Sequence, residues 1–514
     1  MKHYHHIFKL LPILLTLLFF ILIACKNNNS ESTLENPEKP NILVLLTDDQ
    51  RWDAIGFMGN KIIKTPNIDS LAYRGIQFKN AFVTTPICCA SRANVLTGQY
   101  ASRNGVHDFF TPIKLEETYP RLIRENGYYT GFIGKWGTLE TDSVYFQKSA
   151  NLFDFWAGSM GQANYWHERD CNYVLNNGTS DKENFYCNCP PDKRGVFGEG
   201  LRIGNYNMES PIHLTTEVIP HKMKQFLDQR PKDAPFCMSI SFKSPHAPWS
   251  DYDEKYRDYF EGQRMSLEES VNIENALIQP EFLRVSLNGN NMIEQLVTKD
   301  SINGKLQSSI REYFRLIKGL DDSVGEIIKE LKLRDLFDNT IIIFLSDNGQ
   351  FMGEHGFHGK WLMYEESIRV PFFILDPRKP KNRPASSDEF VLSIDVAPTI
   401  LDFAGIEIPI GIQGKSLLPL LYENSSNQFR SEAIFEHEYG HGKDENHIER
   451  SRAYRSRDWK YIRYIDRRGP LSEELYHISS DSLELIDLSS TLEYRNVLDS
   501  LRTRFEEHFS KIKD

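Results

Sequence analysis

The sequence predicts an α/β protein built on a mostly parallel, doubly wound sheet, with a smaller α+β unit at its C-terminal end. Three observations carry this. Short continuous apolar runs recur, such as Asn41 to Leu46 (NILVLL) and Ile341 to Leu345 (IIIFL), the pattern of strands buried on both faces. Segments of helical period separate them, which is the βαβ alternation of a parallel sheet. Several runs end in polar residues suited to metals or anions, and open α/β sheets bind ligands outside the carboxyl ends of their strands. At 514 residues the chain is too long for one small core, so one large domain and a smaller one are expected.

The chain begins with a segment outside the fold. Lys2 and Lys9 precede an almost wholly apolar run from Leu10 to Ala24, too short for a comfortable membrane span. Leu22-Ile23-Ala24-Cys25 resembles a bacterial lipobox. Residues 1–24 are therefore expected to be a lipoprotein signal peptide, with Cys25 lipidated; an uncleaved N-terminal anchor is the alternative. Either way the protein is exported and held at the membrane. Residues 25–39, with Asn27-Asn28-Asn29, form a solvated linker.

The elements then follow in order. The first strand ends in Thr47-Asp48-Asp49-Gln50, and Pro66 to Arg74 is a short helix. Tyr128 to Ile133 is a strand ending in Gly134-Lys135-Trp136. Phe236 to Phe242 (FCMSISF) is another, ending in Ser244-Pro245-His246-Ala247-Pro248. Residues 262–310 carry no strong signal and read as an insertion or long loop over the site. From Glu312 to Leu333, apolar residues recur every three or four positions, which predicts a long amphipathic helix. The IIIFL strand ends in Ser346-Asp347-Asn348-Gly349. A strand at Val370 to Leu375 and a helix at Ile394 to Ala404 complete a domain over 40–405. Residues 406–430 connect to a subdomain at 431–514 with two Tyr-rich strands, Lys460 to Tyr464 and Glu474 to Tyr476, and a closing helix around Tyr494 to Lys511.

Seven cysteines need places. Besides Cys25, Cys171, Cys187 and Cys189 share one polar region, where a loop staple from Cys171 to one of the other two suits an exported chain. Cys237 lies within an apolar strand. Cys88 and Cys89 sit at a helix start in TPICCASRANVLTG (Thr85 to Gly98). A bare Cys there is either a thiol activated by the helix dipole or a small buried apolar residue.

Asp48, Asp49, Asp347 and Asn348 offer only oxygen ligands, a set for Ca²⁺ or Mg²⁺ rather than Zn²⁺. Lys135, His246 and Lys360 could supply positive charge and proton transfer. The net charge of −11, with no long basic run, argues against nucleic acid as a partner. An anionic substrate would need locally focused positive charge or a metal.

Cys88-Cys89-Ala90-Ser91-Arg92 with Leu96-Thr97-Gly98 resembles the type I sulfatase signature, in the variant with Ala at the usual Pro position. The match continues in the family's order through Asp48-Asp49, Gly134-Lys135-Trp136, Pro245-His246-Ala247-Pro248, Asp347-Asn348-Gly349, and Lys360 before Tyr364-Glu365. The resemblance spans about residues 40 to 490 and implies an alkaline-phosphatase-like core with a smaller C-terminal subdomain. It implies that Cys88 is converted to formylglycine by a formylglycine-generating or anaerobic sulfatase-maturing enzyme. The hydrated aldehyde would attack the sulfur of a sulfate ester and later collapse to release sulfate. Asp48, Asp49, Asp347, Asn348 and residue 88 match the metal ligands. Arg92 matches the residue holding the nucleophile, Lys135 and Lys360 stabilise sulfuryl charge, and His246 matches the histidine near the leaving oxygen, a general acid.

One position departs from the pattern. The family usually reads Gly-Lys-Trp-His; here Gly137 follows Trp136. His107 or His358 is expected to take over at the substrate. The substrate expected from the resemblance is a sulfated polysaccharide or its oligosaccharides, an algal polymer such as ulvan or carrageenan ahead of glycosaminoglycans. The aromatics of Phe153 to Trp166 could stack on sugar rings. A phosphomonoester or phosphonate hydrolase of the same fold, and an inactive carbohydrate-binding lipoprotein, are the alternatives. The expected location is the bacterial cell envelope, periplasm or outer-membrane surface.

Overall fold

The computed structural model describes residues 39–139, 142–168, 211–379, 385–422, 429–440, 447–466 and 472–512. The signal peptide, Cys25 and the staple of Cys171, Cys187 and Cys189 lie outside the described residues. The central sheet has eight strands: β1 (Asn41–Thr47), β2 (Ile76–Phe82), β3 (Tyr129–Lys135), β4 (Phe155–Ser159), β5 (Phe236–Ser241), β6 (Thr340–Ser346), β7 (Phe372–Leu375) and β8 (Ser386–Leu392). Across the sheet they run β8-β2-β7-β6-β1-β5-β3-β4. Every neighbouring pair is parallel except at β7, which is antiparallel to both β2 and β6.

Strand β1 shows why a continuous apolar run marks a central strand. Ile42, Val44 and Leu46 point to one face and Leu43 and Leu45 to the other, and both faces are covered. On the first face lie α2 (Cys88–Thr97), α3 (Tyr119–Glu125) and α6 (Val396–Phe403). On the second lie α1 (Pro66–Arg74), α4 (Ile219–Gln229) and the 29-residue α5 (Lys305–Leu333), through residues such as Leu71, Phe226 and Val324. Cys237 is buried in β5, as its apolar strand predicts.

Two stretches differ from expectation. Helix α5 begins at Lys305 rather than Glu312, because Leu306 and Ile310 extend its buried stripe. Residues 262–310 are not a loose loop: helices at Ile273–Ile278, Glu281–Arg284 and Met292–Val297 intervene, and Val271, Ala276 and Leu296 pack against α5.

The C-terminal part is a four-stranded antiparallel sheet of β9 (Glu432–His437), β10 (Ser451–Ser456), β11 (Trp459–Tyr464) and β12 (Glu473–His477). Helix α7 (Arg495–Lys511) covers it with Leu498, Leu501, Phe505 and Phe509. Strands β9 and β10 escape sequence reading because they bury polar residues, Glu436, His437 and Arg455 among them. This sheet shares one hydrophobic core with Phe82, Phe351 and Tyr364 of the larger part, and residues 40–514 form a single compact unit.

Candidate active site

Four adjacent strands, β6, β1, β5 and β3, deliver polar groups to one edge. Asp48 and Asp49 follow β1, Asp347 and Asn348 follow β6, Lys135 ends β3, and His246 lies in the loop after β5. The backbone ladder continues into these loops: Asp48 N donates to Ser244 O at 3.2 Å and Asp347 N to Thr47 O at 3.0 Å. Asp49 N donates to Asp347 Oδ1 at 3.2 Å, with Asp49 in the left-handed region (φ 60°) that Asp tolerates better than most residues. Asn348 Nδ2 donates to Asp49 Oδ1 at 2.6 Å.

Helix α2 aims its first residue, Cys88, into this cluster. Its N-cap, Ile87, offers no side-chain acceptor to the first-turn amides. At its other end Gly98 sits at φ 66°, and a Cβ would lie 2.8 Å from Ile412 Cγ2; only glycine ends the helix against that neighbour. Cys88 Sγ lies 3.4 Å from Asp48 Oδ1 and accepts from Lys360 Nζ at 2.6 Å. Lys360 also pairs with Asp49. Lys135 Nζ meets Asp48 Oδ2 at 2.7 Å and Gln162 Oε1 at 2.9 Å. Arg92 donates from Nε to Asp347 Oδ2 at 2.8 Å and from its guanidinium to Lys135 O at 3.0 Å and to Ser241 Oγ, with Asp48 Oδ2 at 3.3 Å.

Burial dominates the titration of this cluster. It raises the Asp48 carboxyl, but Lys135, His246, Arg92 and Lys360 outweigh it and hold the group well below the carboxylate range. Asp347 is pushed up to about 7 by burial and by the charge of Asp48. Burial opposes the charge on Lys360, yet Asp49 and its anionic neighbours keep it firmly protonated. Burial pushes His246 down to about 4 despite Asp49 and Asp48. Its Nδ1 lies 2.7 Å from Ala247 O and its Nε2 3.5 Å from Asp49 Oδ2. Burial, then Asp48, drives the Cys88 thiol upward, which favours the buried-residue reading over the thiol activated by the helix dipole.

Three carboxylates, Asp48, Asp49 and Asp347, thus face three fixed cations, Arg92, Lys135 and Lys360. The residues also fit a metal. Single ligand atoms of Asp48, Asp49, Cys88 and His246 lie within 4.8 Å of one another, and Asp347 and Asn348 bond to Asp49. Asn348 Oδ1 is buried without a hydrogen-bond partner beside them, an oxygen donor left over for a ligand. That donor set suits a hard divalent cation. With such an ion bound, the balanced cluster becomes net positive and attracts an anion, although the whole chain is acidic.

The remaining expected residues have other neighbours. His107 faces the charges of Glu438, Asp108 and Arg452, and His358 faces Lys305; neither bonds to the cluster. The space beside Gly137 is taken instead by Arg92. Gly137 sits at φ 76°, and a Cβ there would lie 2.4 Å from Arg92 Cδ and 3.0 Å from Nε. Phe153, Phe155, Trp156 and Tyr165 are core residues, which removes them from sugar stacking; strand β4 and its flanks turn them inward. Ser241, Gln162 and Asn288 contact the catalytic-type side chains or their backbone and escape sequence reading. Ser241 at a strand's C-terminal end carried the one usable signal.

A sequence model of the family described as Sulfatase matches residues 40–406, and one described as N-sulphoglucosamine sulphohydrolase, C-terminal, matches residues 353–511. The chain is 28% identical to an N-acetylglucosamine-6-O-sulfatase of Bacteroides thetaiotaomicron, over 98% of this chain and 91% of that protein. It is 27% identical to an ulvan-active sulfatase of Formosa agariphila, over 78% of this chain and 69% of that protein. A solved structure of a protein in complex with its substrate D-glucosamine-2-N,6-O-disulfate superposes with a TM-score of 0.71 and 25% identity, covering 93% of this chain and 98% of that one.

Proposed function

The chain belongs to the sulfatase family and is a sulfuric ester hydrolase; on that premise we propose that it removes sulfate from a sulfated glycan, using residue 88 as formylglycine and a divalent metal. The observation that carries this is the buried cluster in which Cys88, Arg92, Lys135, His246 and Lys360 surround the oxygen donors Asp48, Asp49, Asp347 and Asn348. As a thiol raised by burial, Cys88 is a poor nucleophile, which favours conversion as its purpose. Once converted, residue 88 would supply a hydrated aldehyde as the nucleophile toward sulfur. Asp48, Asp49, Asp347, Asn348 and residue 88 would hold the metal, whose Lewis acidity offsets charge on the sulfuryl oxygens.

The chain's own residues do the rest. Lys360 stays charged beside residue 88, Lys135 lies against Asp48, and the two orient the anionic ester without reorganising. Arg92 locks Asp48 and Asp347 in place. His246 holds Nδ1–H at the Ala247 carbonyl, which leaves Nε2 toward the site; the incoming anion offsets the burial that depresses its basicity, so that Nε2 takes up a proton from solvent with the substrate and passes it to the leaving oxygen.

Among glycans, a 6-O-sulfated glucosamine unit is the first substrate to test, supported by the N-acetylglucosamine-6-O-sulfatase and disulfate-complex relatives; ulvan oligosaccharides come next, supported by the Formosa relative. The test is to co-express the chain with a formylglycine-generating enzyme, weigh the Cys88 peptide, and assay sulfate release from these oligosaccharides with Cys88→Ala as control. Cys88-dependent release carries the reading. Faster hydrolysis of matched phosphate esters, or a fully converted protein silent on all of them, overturns it. We further propose that Cys25 carries a lipid anchor in the cell envelope, supported by Leu22-Ile23-Ala24-Cys25. Cys25→Ala should release the protein from the membrane fraction and abolish fatty-acid labelling.

A further inference from the structure

The segment between Lys360 and Arg369 is held from outside the catalytic domain. Trp361, next to Lys360, sits at φ 82°, a left-handed backbone that a bulky residue adopts only when neighbours impose it. Three residues later, Tyr364 donates its hydroxyl to Glu474 Oε2 of β12 at 2.8 Å. Glu474 is buried and accepts two more hydroxyls, from Tyr464 at 2.9 Å and Tyr476 at 3.1 Å. Glu365, the next residue, pairs with Lys460 of β11 at 2.9 Å and Arg455 of β10 at 3.2 Å, and its N–H donates to Glu484 at 2.8 Å.

The same segment touches the site at both ends. Lys360 bonds to Cys88 Sγ and pairs with Asp49 at one end. At the other, Ser367 O accepts from Gly349 N at 2.8 Å, directly after the oxygen donor Asn348. Tyr364 stands between these two contacts, and its carbonyl accepts from Ser367 N and Ile368 N. We propose that Glu474, acting through Tyr364, is a positioning residue for Lys360: the C-terminal sheet pins the strained loop that carries the catalytic cation. The proposal deepens the sulfatase reading and rests on it for the role of Lys360, but the pin itself is a mechanical claim. A buried carboxylate whose partners all belong to this junction is otherwise costly, and it repays that cost by fixing one arrangement of the loop.

The test combines hydrogen–deuterium exchange over residues 358–368 of the full chain with kcat/KM on an aryl sulfate. Tyr364→Phe, which removes one hydroxyl and keeps the ring, should speed exchange of that peptide about ten-fold or more. It should lower kcat/KM by a similar factor, about ten-fold. Glu474→Leu should do the same, while Glu474→Gln, which retains a carbonyl acceptor, should stay within about three-fold of the native chain. Tyr461→Phe is the matched control: its hydroxyl bonds Glu473 in the same sheet, but its ring packs on Phe505 of α7. It should change neither readout beyond about two-fold. Unchanged exchange in Tyr364→Phe, or equal loosening in Tyr461→Phe, overturns the pin. A native chain that hydrolyses no sulfate ester defeats the sulfatase reading instead, and the exchange comparison still decides the pin.

Discussion

Restoring a histidine at position 137 should damage this site, not repair it. Gly137 lies at φ 76°, where a side chain costs about 1–2 kcal/mol. A Cβ there would lie 2.4 Å from Arg92 Cδ, far inside the roughly 3.5–4.0 Å of normal carbon contact, so Arg92 must move. Arg92 is buried and holds Asp347 through Nε and its terminal nitrogen, both at 2.8 Å. The Nε contact is the hydrogen bond of the two, and one to a charged group contributes about 1.5–3 kcal/mol, so losing it costs about that much at the site. Expressed on the transition state, that is about ten-fold to 10²-fold in kcat/KM. The assay is kcat/KM of Gly137→His and Gly137→Ala on an aryl sulfate, with formylglycine content weighed in each preparation so that failed conversion is not mistaken for failed catalysis. Gly137→His at or above native activity would refute the reasoning, because Arg92 would then tolerate a neighbour in its path.

Further outcomes follow from the same geometry. His246→Ala should slow esters with poor leaving groups far more than activated aryl sulfates, by about 10²-fold against ten-fold or less; equal losses on both would exclude proton donation. Chelation by EDTA should lower both activity and the melting temperature, with Ca²⁺ or Mg²⁺ restoring them; an unmoved melting temperature would argue against a metal at Asp48, Asp49, Asp347 and Asn348. Glu474, ringed by three tyrosine hydroxyls with Asp487 nearby, is pushed from 4.5 to about 7, chiefly by burial. The folded chain therefore binds that proton more tightly than the unfolded chain, so the contribution of this one group is full below about pH 4.5 and is lost as pH rises to about 7, about 3 kcal/mol in all. Denaturant melts of Glu474→Gln should show a shallower fall over that window; an identical slope would place the carboxyl's titration elsewhere.

Legibility in the sequence tracks the range of the interaction. The strands β1 and β6 are readable because a parallel strand buried on both faces must be apolar throughout, and the run itself says so. The residues just past them, Asp48, Asp49, Asp347 and Asn348, are readable because a strand end is where an α/β sheet exposes groups to a ligand. Strands β9 and β10 are not readable, since Glu436, His437 and Arg455 are buried there on partners distant in the chain. The 262–310 lobe lacks period because its short helices each present only a few apolar residues to α5.

By itself, the sequence determined the fold class, the oxygen-donor set and the edge of the sheet at which Lys135 and His246 meet it, since strand ends are local properties; Cys88 with Arg92, and Lys360, came from the family resemblance. Only the tertiary structure decided what fills the space beside Gly137, where His107 and His358 point, and that the aromatics around Trp156 are core. It alone decided that Cys88 is a suppressed thiol and that a C-terminal sheet grips the Lys360 loop. Each of these depends on which side chains from distant segments share one buried volume, and burial and Coulomb interaction act through space, without regard to separation along the chain.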